Sequence, residues 1–178
     1  MYKHKYYLKD TYHHIYNRGV IFEPIFREPH DYFYFLDKTY KYKLKYKISV
    51  LCYCLMPTHY HFFVKQLTDD FKIGQFIGDL TNCYTKAYNN KYHRSGVILA
   101  GTNQSKWITN EKYFFQLLAY ILNNPVNAGL VSKASEWEYS SAKDYFGMRR
   151  SSLIDQEEIL KNYKSRIEIR SFIENGFF

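Results

Sequence analysis

Cysteine is scarce in this sequence. Cys52, Cys54 and Cys83 are the only three in 178 residues, and no Cys-x-x-Cys pair occurs. That argues against a cysteine-ligated zinc site. Cys52 and Cys54 stand two apart on one strand, face the same way and cannot easily bridge each other. All three read as reduced, buried small residues of a cytosolic protein. Long apolar runs are also missing. No stretch approaches the roughly 18 residues of a membrane span. Met1-Tyr2-Lys3-His4-Lys5 is not followed by the apolar segment of a secretory leader. The expectation is a soluble, cytoplasmic protein with no membrane partner. No internal repeat and no low-complexity tract is visible. Acidic residues are outnumbered, 17 Asp and Glu against 25 Lys and Arg, and the resulting net charge of +8 predicts attraction to polyanions.

Aromatic residues, by contrast, make up 20% of the chain, with 20 Tyr and 14 Phe. Rings interleaved with Lys and Arg suit single-stranded nucleic acid, because bases stack on rings while cations track phosphates. Most of these rings are nonetheless expected to fill a core. The length suits one domain with an appendage: residues 1–147 as the domain and 148–178 as a basic, helical C-terminal tail.

Residues 11–19 read as a strand ended at Gly19, and 30–46 as a helix with Asp31 at its N-terminal end. The alternation of Lys41, Lys43, Lys45 and Lys47 with apolar and aromatic residues would also suit a strand. Residues 48–56 are apolar on both faces, as in a central strand. Pro57 and Thr58 turn the chain into a second strand, 59–66. A helix over 71–92 has Phe71, Ile73, Phe76, Ile77 and Leu80 on one face, and Val97-Ile98-Leu99-Ala100 suggests another strand. A helix over 111–124 is capped by Thr109 or Asn110 and stopped by Pro125. The order β-α-β-β-α-β predicts an α+β, ferredoxin-like split βαβ sheet, antiparallel, with helices on its faces.

The strand at 59–66 places His59 and His61 on one face, roughly 6.6 Å apart along the chain. Their imidazoles can converge on one metal ion while Tyr60, Phe62 and Val64 enter the core. In the helix over 111–124, Tyr120 and Asn124 stand one turn apart on one face. An Asn carbonyl is a neutral oxygen ligand for a hard or borderline cation, and a Tyr hydroxyl beside it is a potential nucleophile. The residues alone leave a plainer alternative open: histidines at a core edge, Tyr120 packing its helix, and Asn124 capping its C-terminus before Pro125.

Several blocks in order resemble one family. Cys54-Leu55-Met56-Pro57-Thr58-His59-Tyr60-His61-Phe62-Phe63-Val64 resembles the HUH signature of single-tyrosine transposases, the insertion-sequence 200-like transposases. Tyr120-Ile121-Leu122-Asn123-Asn124-Pro125-Val126-Asn127-Ala128-Gly129 resembles a block of their REP-associated branch. Trp137-Glu138-Tyr139-Ser140-Ser141-Ala142 is similar to its Trp-x-Ser-Ser-Tyr ending, with the Trp displaced. His14-Ile15-Tyr16-Asn17-Arg18-Gly19 with Ile25-Phe26-Arg27, and Tyr84-Thr85-Lys86-Ala87-Tyr88-Asn89, resemble its first strand and second helix. The resemblance spans roughly residues 10–147.

It implies that His59, His61 and Asn124 bind one divalent metal, Mg²⁺ or Mn²⁺. It further implies that Tyr120 attacks a phosphodiester of single-stranded or hairpin DNA, giving a 5′-phosphotyrosine link and a free 3′-hydroxyl. It allows a homodimer as well as a monomer. One departure stands out. Where the family often has an aromatic residue and an Arg after its second helix, this chain has Ala100 and Thr102. Either Lys106 substitutes for the missing cation or activity is weaker. Further DNA contacts are expected from Lys86, Lys91 and Arg94, and the basic tail is a possible grip on a hairpin. Two other readings remain beside the transposase: a domesticated DNA-binding protein of the same fold with little catalysis, and a metal-dependent DNA hydrolase that activates water.

Overall fold

The structure is a computed structural model, described here for residues 8–70 and 72–175. Met1–Lys5 and Phe71 fall outside the described residues.

Four strands form one sheet in the order β2-β3-β1-β4: β1 Tyr12–Arg18, β2 Ile48–Met56, β3 His59–Gln66 and β4 Gln104–Ile108. Every neighbouring pair is antiparallel, which is the ferredoxin-like arrangement expected from the element order. β3 is central, and its side chains alternate between the two faces. On one face Tyr60 and Phe62 meet Phe35 of helix α1 (Pro29–Tyr46), and Phe62 meets Phe76 of helix α2 (Lys72–Lys91). On the other face Phe63 packs edge-on against Phe114 of helix α3 (Glu111–Asn127). Tyr60, Phe62 and Val64 are fully buried, as their spacing requires.

Local chemistry sets the helix ends. The side chain of Asp31 accepts from the backbone N–H groups of Arg27 and Glu28 at 2.9 and 3.3 Å, and Pro29 opens the first turn of α1. The alternating lysine segment stays helical to Tyr46, and Lys47 ends it in a left-handed conformation (φ +52°). The side chain of Asn110 caps α3, accepting from Tyr113 N–H at 2.9 Å.

Two boundaries differ from the sequence expectation. Residues 97–100 are not a strand. They make one bridge, Gly19 to Leu99, flanked by bonds from Val20 N–H to Ile98 O and from Ala100 N–H to Arg18 O. Gly96 and Gly101, at φ +84° and +66°, bend the chain on either side of this short segment and keep it from extending into a ladder. The fourth strand is Gln104–Ile108, a mostly exposed edge whose polar residues carry little of the usual strand signal. Pro125 does not stop α3 either. It is buried within the last turn, where the missing N–H costs a single bond, and the helix runs on to Asn127.

The edge strand β2 is covered from outside. Leu55 N–H donates to Tyr139 O, Ser141 N–H to Tyr53 O, and Trp137 Nε1 to Leu55 O. Beyond Gly147, Asp155 N–H reaches Val50 O. Leu153, Ile154, Ile159, Ile169 and Ile173 are buried in the common core, the last two from helix α6 (Arg166–Asn175), which follows two single-turn helices, α4 (Ala142–Tyr145) and α5 (Glu157–Leu160). Among the described residues no helix is long and apolar enough to cross a membrane.

Candidate active site

The α3 face of the sheet brings the sequence-selected residues together. His59 and His61 project from β3, and α3 crosses them with Tyr120 and Asn124 one turn apart. His59 Nε2 lies 3.3 Å from Asn124 Oδ1. The Tyr120 ring stands edge-on to His61, with centroids 5.6 Å apart. The two imidazole centroids are 5.1 Å apart and nearly perpendicular. Because Pro125 leaves the helix intact, Asn124 is not a cap: its amide Nδ2 donates back to Tyr120 O at 3.2 Å, turning Oδ1 toward His59.

A third histidine completes the group, one that the sequence reading did not select as a site residue. His14 lies on β1, which pairs with β3, and its Nε2 is 2.9 Å from His61 Nδ1. It belongs to the run His14-Ile15-Tyr16, where alternation puts His14 and Tyr16 on the α3 face. The only signal for it was a polar ring inside a buried strand.

Burial keeps all three imidazoles neutral at ordinary pH. His61 is pushed down to about 2, by desolvation first and then by the neighbouring His14 and His59. His14 falls to about 4 through desolvation, with Lys106 adding to it. His59 is lowered by desolvation, against the opposing hydrogen bond that its ring donates to Asn124 Oδ1. Neutral imidazole is the form that ligates metals. His61 Nδ1 faces His14, which leaves its Nε2 for a ligand role, and His59 Nδ1 faces Thr58 Oγ1 at 3.1 Å, so its Nε2, 3.3 Å from Asn124 Oδ1, is the nitrogen that an ion between the two would take. Ligand atoms sharing one ion at about 2.1 Å stand roughly 3 Å apart, close to the His59–Asn124 spacing. Two nitrogens and an amide oxygen suit a borderline divalent cation such as Mn²⁺.

A cleft of about 600 Å³ opens beside this group, lined by Tyr16, Arg18, Phe22, His59, His61 and Tyr120 among others. Tyr120 stands at its rim, 49% exposed, and its hydroxyl makes no hydrogen bond among the described residues. Ala100 also lines the cleft, and Thr102 is exposed. Lys106 pairs in register with His14 and lays its ammonium 4.1 Å from the Tyr113 ring centroid, on the site's side of the sheet.

Lys91 and Arg94, singled out from sequence, are engaged elsewhere. Lys91 sits behind the sheet, bound to Glu28 at 2.5 Å and Asp31 at 2.6 Å. Arg94 pairs with Glu23 at 3.3 Å. Lys86 is exposed on α2. In the tail, Arg149 is held by Asp144 at 2.6 Å, Arg166 by the carbonyls of Asp144 and Tyr145, and Arg170 by Glu174. Lys43, within the alternating lysine segment, is buried against Asp155 and Leu153 O. A second cluster of ligand-type groups, Glu28, His30 and Asp31, lies at the start of α1 with its ligand atoms within 4.8 Å of one another. The Lys91 ammonium already sits among them, so a cation there would have to displace it.

The class that can be named is one of fold: the α+β fold is shared with a solved tyrosine transposase. The particular likeness is to a REP-associated tyrosine transposase whose structure was determined bound to a REP hairpin; the two agree at a TM-score of 0.69, with 19% identity, over 86% of this chain and 88% of that one. Weaker overlaps are with a protein of Deinococcus radiodurans R1 provisionally named a transposase (TM-score 0.45, 17% identity, 69% and 97% covered) and a tRNA(His) guanylyltransferase of Saccharomyces cerevisiae (0.46, 13%, 97% and 80%). No protein-family model matches the sequence, and no curated relative does.

Proposed function

We propose that this protein is a metal-dependent DNA transposase that cleaves and rejoins single-stranded DNA through Tyr120. The observation that carries the reading is the convergence of Tyr120 and Asn124 from α3 on His59 and His61 from β3. A divalent ion held by His59, His61 and Asn124 would polarise the scissile phosphate and offset charge built up during attack. The chain's own residues supply the rest. Tyr120 Oη attacks phosphorus; its bond to phosphorus forms as the bond to the 3′ oxygen of the preceding nucleotide breaks. The tyrosine proton is lost and the leaving oxygen is released as a 3′-hydroxyl, so the strand remains 5′-linked to Tyr120. A 3′-hydroxyl of another strand reverses the step. Arg18 and Lys106, both exposed on the site's side, suit the strand's phosphates. A hairpin with a single-stranded extension is the substrate class favoured, since the similar transposase was captured with a REP hairpin. The homodimer expected as one possibility has no support from the fold.

The test is a denaturing gel with 5′- and 3′-labelled hairpin DNA in Mn²⁺, Mg²⁺ or EDTA, with wild type beside Tyr120→Phe. The expected result is a metal-dependent band of protein joined to the DNA 3′ of the nick, absent in the variant. Cleavage that survives Tyr120→Phe would instead identify a water-using hydrolase. Tight hairpin binding without cleavage in any metal would identify a non-catalytic binder.

A further inference from the structure

Between β1 and α1 the chain throws out a short apolar finger. Ile21 and Phe22 both adopt left-handed backbone, at φ +52° and +59°. For a β-branched residue such as Ile21 this is a true outlier, and it persists only where surrounding structure enforces it. Here the enforcement is visible on both sides. Gly19 N–H donates to Thr58 O at 2.7 Å, Val20 N–H to Ile98 O, and Glu23 N–H back to Val20 O. A Cβ on Gly19 would lie 2.1 Å from Glu23 O, so the turn closes only around glycine. Behind it, the hydroxyls of Tyr84 and Tyr88 donate to Ile25 O and Pro24 O, and Ile25 and Phe26 N–H groups both reach Pro57 O. Tyr84 and Tyr88 of α2 thus clamp this loop.

What the clamped loop displays is unusual. Ile21 is 90% exposed and Phe22 65%, yet Phe22 lines the same cleft as His59, His61 and Tyr120. The Arg18 guanidinium stacks on the Phe22 ring, 4.4 Å from its centroid, covering one face. The ring's remaining surface is open to solvent, beside a cation suited to a phosphate. Strain spent on exposing apolar surface has no role in folding, since neither side chain joins the core.

We infer that Phe22, backed by Arg18 and flanked by Ile21, is a platform for an unstacked nucleobase of the single strand that enters the cleft. Base–aromatic stacking is available to any base and is held fast by a rigid support. A pre-set ring would hold one base out of the stack beside the phosphate facing Tyr120. The inference rests on the DNA reading of the site, and the test separates the two.

The probe is fluorescein-labelled dT12, titrated by anisotropy at fixed salt in EDTA, with wild type, Phe22→Ala and Phe22→Trp. Phe22→Ala is expected to weaken binding about 5- to 150-fold, which is about 1–3 kcal/mol, with an unchanged melting temperature because the ring is exposed. Phe22→Trp is expected to bind as wild type or tighter. Equal affinity of Phe22→Ala and wild type would overturn the platform alone. Failure of wild type to bind dT12 would overturn both the platform and the DNA reading.

Discussion

Replacing His14 by alanine should damage metal binding although His14 is not itself placed to be a ligand. For His61 to offer Nε2, its proton must sit on Nδ1, and that N–H then donates to His14 Nε2 across 2.9 Å. The bond fixes both the tautomer and the rotation of the ring. Removing such a partner typically lowers metal affinity 10- to 100-fold, or about 1.4–2.7 kcal/mol. His61 is also buried, so an abandoned N–H costs the metal-free protein about 1–3 kcal/mol, a separate loss to be read from thermal melts in EDTA. The assay is titration with Mn²⁺, following the free ion by electron paramagnetic resonance, for wild type, His14→Ala, His14→Gln and His61→Ala. Gln places an amide oxygen near the position of Nε2 and should restore part of the affinity, while His61→Ala should lose Mn²⁺ binding altogether. If His14→Ala bound Mn²⁺ within twofold of wild type, the orienting role would be wrong. If His61→Ala also bound normally, the ion would be elsewhere, and Glu28, His30 and Asp31 would be the next group to alter.

Mn²⁺ at about 100 times its Kd should stabilise the folded protein by about 2.7 kcal/mol and raise Tm by roughly 5–10 °C, a shift that disappears in His61→Ala by scanning fluorimetry. Ile21→Gly should relieve left-handed strain at an exposed position and raise Tm by roughly 2–4 °C in calorimetry; a lowered Tm would show that the conformation is not strained. Phe35→Ala, at the meeting of α1, α2 and β3, should cost about 3–5 kcal/mol in urea unfolding, whereas Tyr120→Phe should stay within about 0.5 kcal/mol of wild type. Burial raises the Asp31 carboxyl, but the Lys91, Tyr92 and Arg27 donors outweigh it and leave the group below its ordinary value. Its stabilising effect is therefore present above about pH 4 and lost as pH falls through the lower folded value; Asp31→Asn should flatten that part of the stability–pH curve.

The parts of the site legible in sequence were those encoded by short periods. His59 and His61 announce themselves by a spacing of two in an apolar run, and Tyr120 and Asn124 by a spacing of four on a helix. That the two pairs meet is a tertiary fact, and only the ordered family-like blocks suggested it. His14 escaped because its relation to His61 depends on strand register between β1 and β3, which no local pattern prints. β4 escaped because an exposed edge strand needs no apolar alternation, and the apolar run 97–100 drew the assignment instead. Pro125 misled because a proline in a last turn costs only one bond. Lys91 and Arg94 look like free cations in sequence, and their acidic partners, 60 to 71 residues distant, become visible only on folding.

The division of β3 into two faces explains how one strand can carry both stability and chemistry. Tyr60, Phe62 and Val64 fill the core against α1 and α2, and the intervening His59 and His61 inherit that rigidity without contributing to it. A slip of one residue in register would exchange the two sets, turning the imidazoles toward α1 and α2 and the rings toward α3, so the same pattern that selects the fold also aims the histidines. Tyr120 is held differently. Its Cα is fixed by buried neighbours Leu117, Leu118, Ile121 and Leu122, while its hydroxyl makes no hydrogen bond among the described residues and its ring is half exposed. A nucleophile that must reach phosphorus, carry a strand and surrender it again needs rotational freedom that ligands must not have. The imidazoles are held by hydrogen-bonding neighbours while the phenol stands half exposed at the cleft rim, which is the distribution the proposed chemistry requires.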